Sequence, residues 1–363
     1  MRRDGRLAIV FAFHLALLVA GAARAQDTGA PAPCLAPPRG PCDPCDPRFD
    51  ARRGPLEIRD SYLLAQPRLT LPATTPDTLG CGRTEAHLGF AWANSFGWSQ
   101  DVEGETPTQR AYLVDGEAMT VDVTVLRGVT DDLDLGVRLP VHWRGGGVLD
   151  EVIDWYHGLT DPVILDNGRS EFDTNEFRVN GVLDDGTPFD ADDDTGWGLG
   201  NVEGIARWRF LDGCRDGLSL ALVGRLTLPT GTGPFDVGGV EVGGQVVAAH
   251  RILRTVDVYA GVGGTWFSED RHDGIGYEPW RAMGFVALEW RPFRRLSLFL
   301  ETDAASRLIE DVARFPSVHW YLNAGLKYDL TSRTTLEVGF VENLEDQQST
   351  ADMGIVLGVA HRW

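Results

Sequence analysis

The sequence almost lacks lysine. Of 33 basic residues, Lys327 is the one that is not arginine, and 53 acids outnumber them to give a net charge of −20. Such a chain does not coat DNA or RNA, which would demand a basic surface. After the run Leu7 to Ala23, nothing approaches the ~18 consecutive apolar residues of a membrane-spanning helix, so a helical membrane protein is excluded. No GxxxxGK[ST] motif is present. The glycine-rich stretches Gly196–Gly200 and Pro229–Gly233 precede strand-like patterns, whereas phosphate loops need a helix behind them. There is no His-x-Ser sequence of the kind an outer-membrane lipid hydrolase presents, so no catalytic residues are expected. No cofactor is expected either.

Cysteine is scarce, with five in all. Cys42 and Cys45 form the one CxxC, which has no second pair to complete a zinc site and no thioredoxin-like βαβ pattern around it. Cys34, Cys42, Cys45, Cys81 and Cys214 are therefore read as disulfide candidates of an exported chain.

Export follows from residues 1–25. Arg2, Arg3 and Arg6 precede the apolar Leu7–Ala22, and Ala23-Arg24-Ala25 supplies a small-x-small cleavage site, so the segment reads as a signal peptide. Removing its four arginines and one aspartate takes the charge from −20 to −23. Residues 26–60 are rich in proline, arginine and aspartate and read as a disordered periplasmic tail. Residues 61–83, apolar but broken by prolines, read as a segment that packs against the following domain, as a plug would.

From Thr84 onward apolar residues recur at every second position, the period of strands. Runs such as Leu133–Leu135–Val137–Leu139–Val141 and Met353–Ile355–Leu357–Val359 repeat to give twelve strands. A length of 363 would suit two or three soluble domains, but the connections alternate short and long. That sorting belongs to an antiparallel transmembrane β-barrel, with short periplasmic turns and long extracellular loops. The expected fold is thus all-β, a barrel of about twelve strands over residues 84–363 behind an extended N-terminal tail.

The alternate positions carry charge. Asp122, Arg138, His142, Glu203, Arg207, Arg209 and Arg225 fall on the face opposite the apolar rows. So do Glu241, Glu289, Glu301, His319, Lys327 and Glu337. These residues are expected to face the lumen, since lipid outside tolerates only the apolar row. Tryptophans near strand ends, including Trp143, Trp266, Trp280, Trp290 and Trp320, suit interfacial girdles.

The longest loop, residues 145–199, has fourteen acids against Arg169 and Arg178, a net −12. Its start, Val148 to His157, has the spacing of a short amphipathic helix. Asp190, Asp192, Asp193 and Asp194 resemble a calcium-binding carboxylate cluster but lack EF-hand spacing. A solvated acidic loop is the reading adopted.

Several stretches resemble one family: DSYLLAQPRLTLP, GGGVLDEVIDWYHGLT, TGWGLGNVEGIARW, LTLPTGTG and the tail FVENLEDQQSTADMGIVLGVAHRW. They are similar to a family of uncharacterised Gram-negative outer-membrane barrel proteins, known only as a domain of unknown function. The terminal aromatic Trp363 resembles the assembly signal of such barrels. The resemblance implies the cell outer membrane, with lipid, lipopolysaccharide and the barrel assembly machinery as partners. It implies no activity. Two functions stay open: a narrow or gated channel for small solutes, and a closed structural or surface-interaction barrel.

Overall fold

A computed structural model of the chain describes residues 52–99, 111–149, 175–213, 217–312, 314–343 and 349–363. The expected signal peptide, most of the tail with Cys34, Cys42 and Cys45, most of the expected helix at 148–157, and Cys214 lie outside the described residues. Twelve long strands form the wall: β1 (Thr84–Trp98), β2 (Tyr112–Gly128), β3 (Leu133–Gly145), β4 (Val202–Leu211), β5 (Ser219–Leu228) and β6 (Glu241–Leu253). They continue as β7 (Val256–Phe267), β8 (Trp280–Phe293), β9 (Leu296–Ser306), β10 (Val318–Asp329), β11 (Thr334–Asn343) and β12 (Met353–Arg362). Each pairs antiparallel with its sequence neighbours, and β1 also pairs with β12 from Glu85↔Arg362 to Asn94↔Met353. The sheet therefore closes with no free edge, the requirement for strands in lipid. At the seam, Thr84 and Trp363 exchange backbone hydrogen bonds of 3.4 and 2.9 Å. Among the described residues no helix is long and apolar enough to cross a membrane.

Alternation sets the two faces. Along β5, Ala221, Val223 and Arg225 are buried while Leu222, Leu226 and Leu228 are exposed. Val262, Val286, Leu300 and Val338 continue the exposed apolar belt around the barrel. An apolar band of this extent has no place in water and marks a lipid-facing wall. Trp266 and Trp280 stack at one rim with ring centroids 6.2 Å apart, and Trp208 and Phe210 at the other at 5.8 Å.

The short turns 129–132, 254–255, 294–295 and 330–333 share one end with both the start of β1 and the end of β12. In outer-membrane barrels that end faces the periplasm. The opposite end carries the long loops. The loop after β3, expected to be a solvated acidic run, contains short strands instead. Arg178–Val182 extends the edge of β2, Pro188–Asp190 pairs with it, and Gly196–Leu199 pairs with the end of β3. Bridges Leu183↔Val312 and Tyr277↔Ile309 tie this loop to the loops after β7 and β9 as a dome.

Candidate functional site

The barrel interior is occupied by residues 52–80, folded as a hairpin. Pro55, Pro67, Pro72 and Pro76 withhold amide donors and keep its arms out of the strand ladder. The first arm rises from the periplasmic mouth. Arg53 pairs with Asp329 and donates to Ser297 Oγ at 2.7 Å. The Leu56 amide donates to Glu301 at 2.9 Å, and Asp60 meets Arg281 at 2.9 Å and the Tyr321 hydroxyl at 2.8 Å near the loop end. The chain then reverses in a helical turn, where the Ala65 and Gln66 amides both donate to the Tyr62 carbonyl at 2.9 Å.

The second arm descends the opposite wall. Arg68 binds Glu241 at 3.0 Å, Gln245 donates to the Pro72 carbonyl at 3.1 Å, and Arg207 donates to Thr74 at 3.2 Å. The Leu79 amide reaches both Asp134 oxygens at 3.1 Å just before β1 begins. The arms are tied together by Arg59 to the Thr70 carbonyl at 3.1 Å, Thr74 to Glu57 at 3.2 Å and Arg52 to Asp77 at 3.3 Å. Residues 52–60 were expected in the disordered tail. That boundary is corrected: they lie in the lumen, because Arg53, Arg59 and Asp60 find countercharges on the wall more than 140 positions away.

At the loop end the turn enters an apolar cluster. Tyr62, Leu63, Leu64 and Ala65 pack with Tyr112, Val179, Phe189, Ile275, Leu308 and Phe315 beneath the dome. Arg144, fully buried, holds the dome from the side, meeting Asp273 at 3.0 Å and the Asp194 carbonyl at 2.6 Å. Burial, and then the Asp273 charge beside it, push the Asp194 carboxyl above the usual carboxylate range.

The expected lumen residues all lie on the inner wall. Asp122, Arg138, Glu203 and Arg225 form one network with Arg59, with Arg138–Asp122 at 3.0 Å, Arg138–Glu203 at 3.7 Å and Arg225 against Glu203. Lys327 and Glu337 pair at 3.0 Å, and Glu289 accepts from Ser297 and Tyr259 at 2.6 Å. Glu241, Glu301 and Arg207 hold the hairpin as described. Arg209 sits lower, against Asp132 of the first short turn at 3.1 Å. His142 bonds the Thr120 hydroxyl at 2.9 Å, and His319 lies 3.5 Å from Asp60. Arg281 and Asp134, absent from the sequence-derived set, are legible by the same alternation, flanked by Trp280 and Leu135 of the lipid face.

The four loop aspartates do not converge. Asp192 is taken by Arg178, Asn180 and the Val179 amide, Asp190 accepts the Asp192 amide, and Asp194 turns toward Arg144. Among the described residues no group of three or more His, Cys, Asp or Glu could hold a metal ion. Cys81 is disulfide-bonded; its partner lies outside the described residues.

The hairpin does not completely fill one side of the lumen. The inner face where β12, β1 and β2 meet carries small residues, Gly89, Ala91, Thr120, Gly358 and Ala360. At Gly358 a Cβ would stand 2.6 Å from His87 Nε2, so only glycine leaves that ring its place. An internal void of about 70 Å³ follows this face up to Gln66 and His142, enough for a few waters. Below it a vestibule of about 680 Å³ opens at the periplasmic mouth, and the two share Glu57, His87, Thr124 and Glu337.

The family described as "Protein of unknown function (DUF3187)" matches residues 47–363. No curated protein matches the chain. Among solved structures, the COG4313 outer membrane channel from Pseudomonas putida F1 is similar with a TM-score of 0.56 at 11% identity, over 81% of this chain and 100% of that one. The Pseudomonas putida toluene transporter TodX gives 0.37 at 8% identity, over 77% of this chain and 88% of its own. The KdgM porin in complex with disordered oligogalacturonate gives 0.38 at 8%, over 77% and 98%. At these identities the likeness is one of fold. The matched stretch takes in the lumenal hairpin and every strand of the wall, and the chain, a closed β-barrel with the fold of an outer-membrane channel, belongs to the DUF3187 family, whose function is unknown.

Proposed function

We propose that this protein is a gated outer-membrane channel for small solutes, closed here by the hairpin 52–80. One observation carries the reading. Among the described residues no backbone–backbone hydrogen bond joins residues 52–79 to the wall, so the hairpin is held by side chains. Four of its anchors, Arg53–Asp329, Arg59–Glu203, Asp60–Arg281 and Arg68–Glu241, are charged groups facing charged groups on the wall. Breaking a buried ion pair in a dry interior costs about 3–5 kcal/mol, because each charge is left uncompensated. Water entering the void along β12, β1 and β2 would solvate both partners and remove most of that cost. Withdrawal of the hairpin and flooding of the lumen are thus one event. Export by residues 1–25 and insertion through the C-terminal strand ending at Trp363 complete this reading.

A second reading, a closed structural or surface-interaction barrel, is favoured by the apolar cluster under the dome, which packs the hairpin turn against the extracellular loops. Planar-bilayer recording separates them. The full-length barrel should show brief openings, and a variant lacking residues 26–80 should conduct steadily. Silence from both would leave the closed barrel as the answer.

A further inference from the structure

We infer that the periplasmic vestibule binds a small, soluble, polyvalent anion, one bearing two or more phosphate or carboxylate groups. As the solute class of the channel this rests on the reading above; as a binding site it does not.

The vestibule departs from the rest of the molecule in charge. Nine arginines and one lysine line it against five carboxylates, in a chain whose net charge is −20. Each carboxylate already has a cation: Asp77 meets Arg52 at 3.3 Å, and Asp329 meets Arg53. Glu337 meets Lys327 at 3.0 Å, Glu57 meets Arg207 at 3.8 Å, and Glu85 meets Arg362. Arg251 is matched from behind by Asp257 at 3.1 Å. What remains includes Arg83, Arg295 and Arg333, all exposed, with no carboxylate in ion-pair distance among the described residues.

These three come from separate places: the residue before β1, the β8–β9 turn and the β10–β11 turn. All three line one cavity, and a ligand with several anionic groups presents more acceptor oxygens to them than a monovalent ion does. Guanidinium forks match phosphate and carboxylate oxygens two at a time. The low-dielectric wall around the cavity focuses their field inward and raises the local anion concentration. Among the described residues no phenylalanine, tyrosine or tryptophan lines the vestibule, so a neutral sugar finds no broad stacking face there.

The test is calorimetry with inorganic pyrophosphate on the full-length barrel in detergent at low ionic strength. Pyrophosphate should bind, and the double variant Arg295→Glu/Arg333→Glu should bind at least about tenfold more weakly. Arg254→Glu lies on another periplasmic turn outside the vestibule and should bind as the parent does. Absence of binding overturns the proposal, as does an equal loss in Arg254→Glu, which would reduce it to general surface charge. Displacement by phosphatidylglycerol vesicles would assign the arginines to lipid headgroups and overturn it too. Pyrophosphate binding by a barrel that never conducts would retain this site and remove the channel; conduction without binding would do the reverse.

Discussion

The carboxylate of Glu241 holds Arg68 and, through its second oxygen, the residue that follows it. The Arg68 Nη1 donates to Glu241 Oε1 at 3.0 Å, and the adjoining Leu69 amide donates to Oε2 at 2.6 Å. Both side chains are 1% exposed, and the guanidinium lies 4.1 Å from the Tyr277 ring centroid. A single wall residue thereby fixes two consecutive positions of the hairpin just past its turn.

Glu241→Ala should free that part of the hairpin. Loss of one partner of a buried pair costs about 3–5 kcal/mol, less what entering water recovers. Amide exchange across residues 66–72 is expected to speed up strongly, and channel openings to lengthen. Glu241→Gln, which keeps an acceptor for the Leu69 amide, should fall between. Unchanged exchange in the alanine variant would show that the hairpin is anchored elsewhere.

The lipid-facing wall can be tested at Val246, 44% exposed and near the middle of β6. Val246→Arg should destabilise the barrel in bilayers by about 2–4 kcal/mol, the cost of arginine at the midplane. Urea unfolding in vesicles measures it. In water a substitution at an exposed site would fall within about 0.5 kcal/mol, so a neutral result would contradict the membrane assignment.

The dome should respond to pH through Asp194. Its carboxyl is held above the usual range by burial and by Asp273, so the folded loop keeps its proton longer than the unfolded one. Stability from this group is full below the ordinary carboxylate value and is lost as pH rises through the raised one. Amide exchange at residues 191–195, corrected for its intrinsic rate, should therefore slow on mild acidification. Arg144→Ala removes the nearby cation and should move that window to higher pH; an unmoved window would separate Asp194 from Arg144.

The strands and their inward charges were legible in the sequence because two solvents, lipid and a polar lumen, impose opposite demands on successive residues. Leu222 and Val223 differ little in chemistry, yet period alone assigns one outside and the other inside. The course of residues 52–80 was not legible. They have no period, their prolines suggest a linker, and Arg53 meets its partner Asp329 across 276 positions. The short strands at 178–190 were hidden for a different reason: they are flanked by acid runs, and tertiary pairing with β2 overrides their weak propensity.

Both arms of the hairpin leave by the periplasmic mouth, and its second arm runs straight into β1 at Thr84. On the proposed reading the hairpin is therefore a ligand on a leash. Its effective concentration is set by the tether rather than by the cell, on the order of millimolar for a short link. A solute that displaced it would compete against a rival that dilution cannot remove, and closure would be first order however long the channel had stood open.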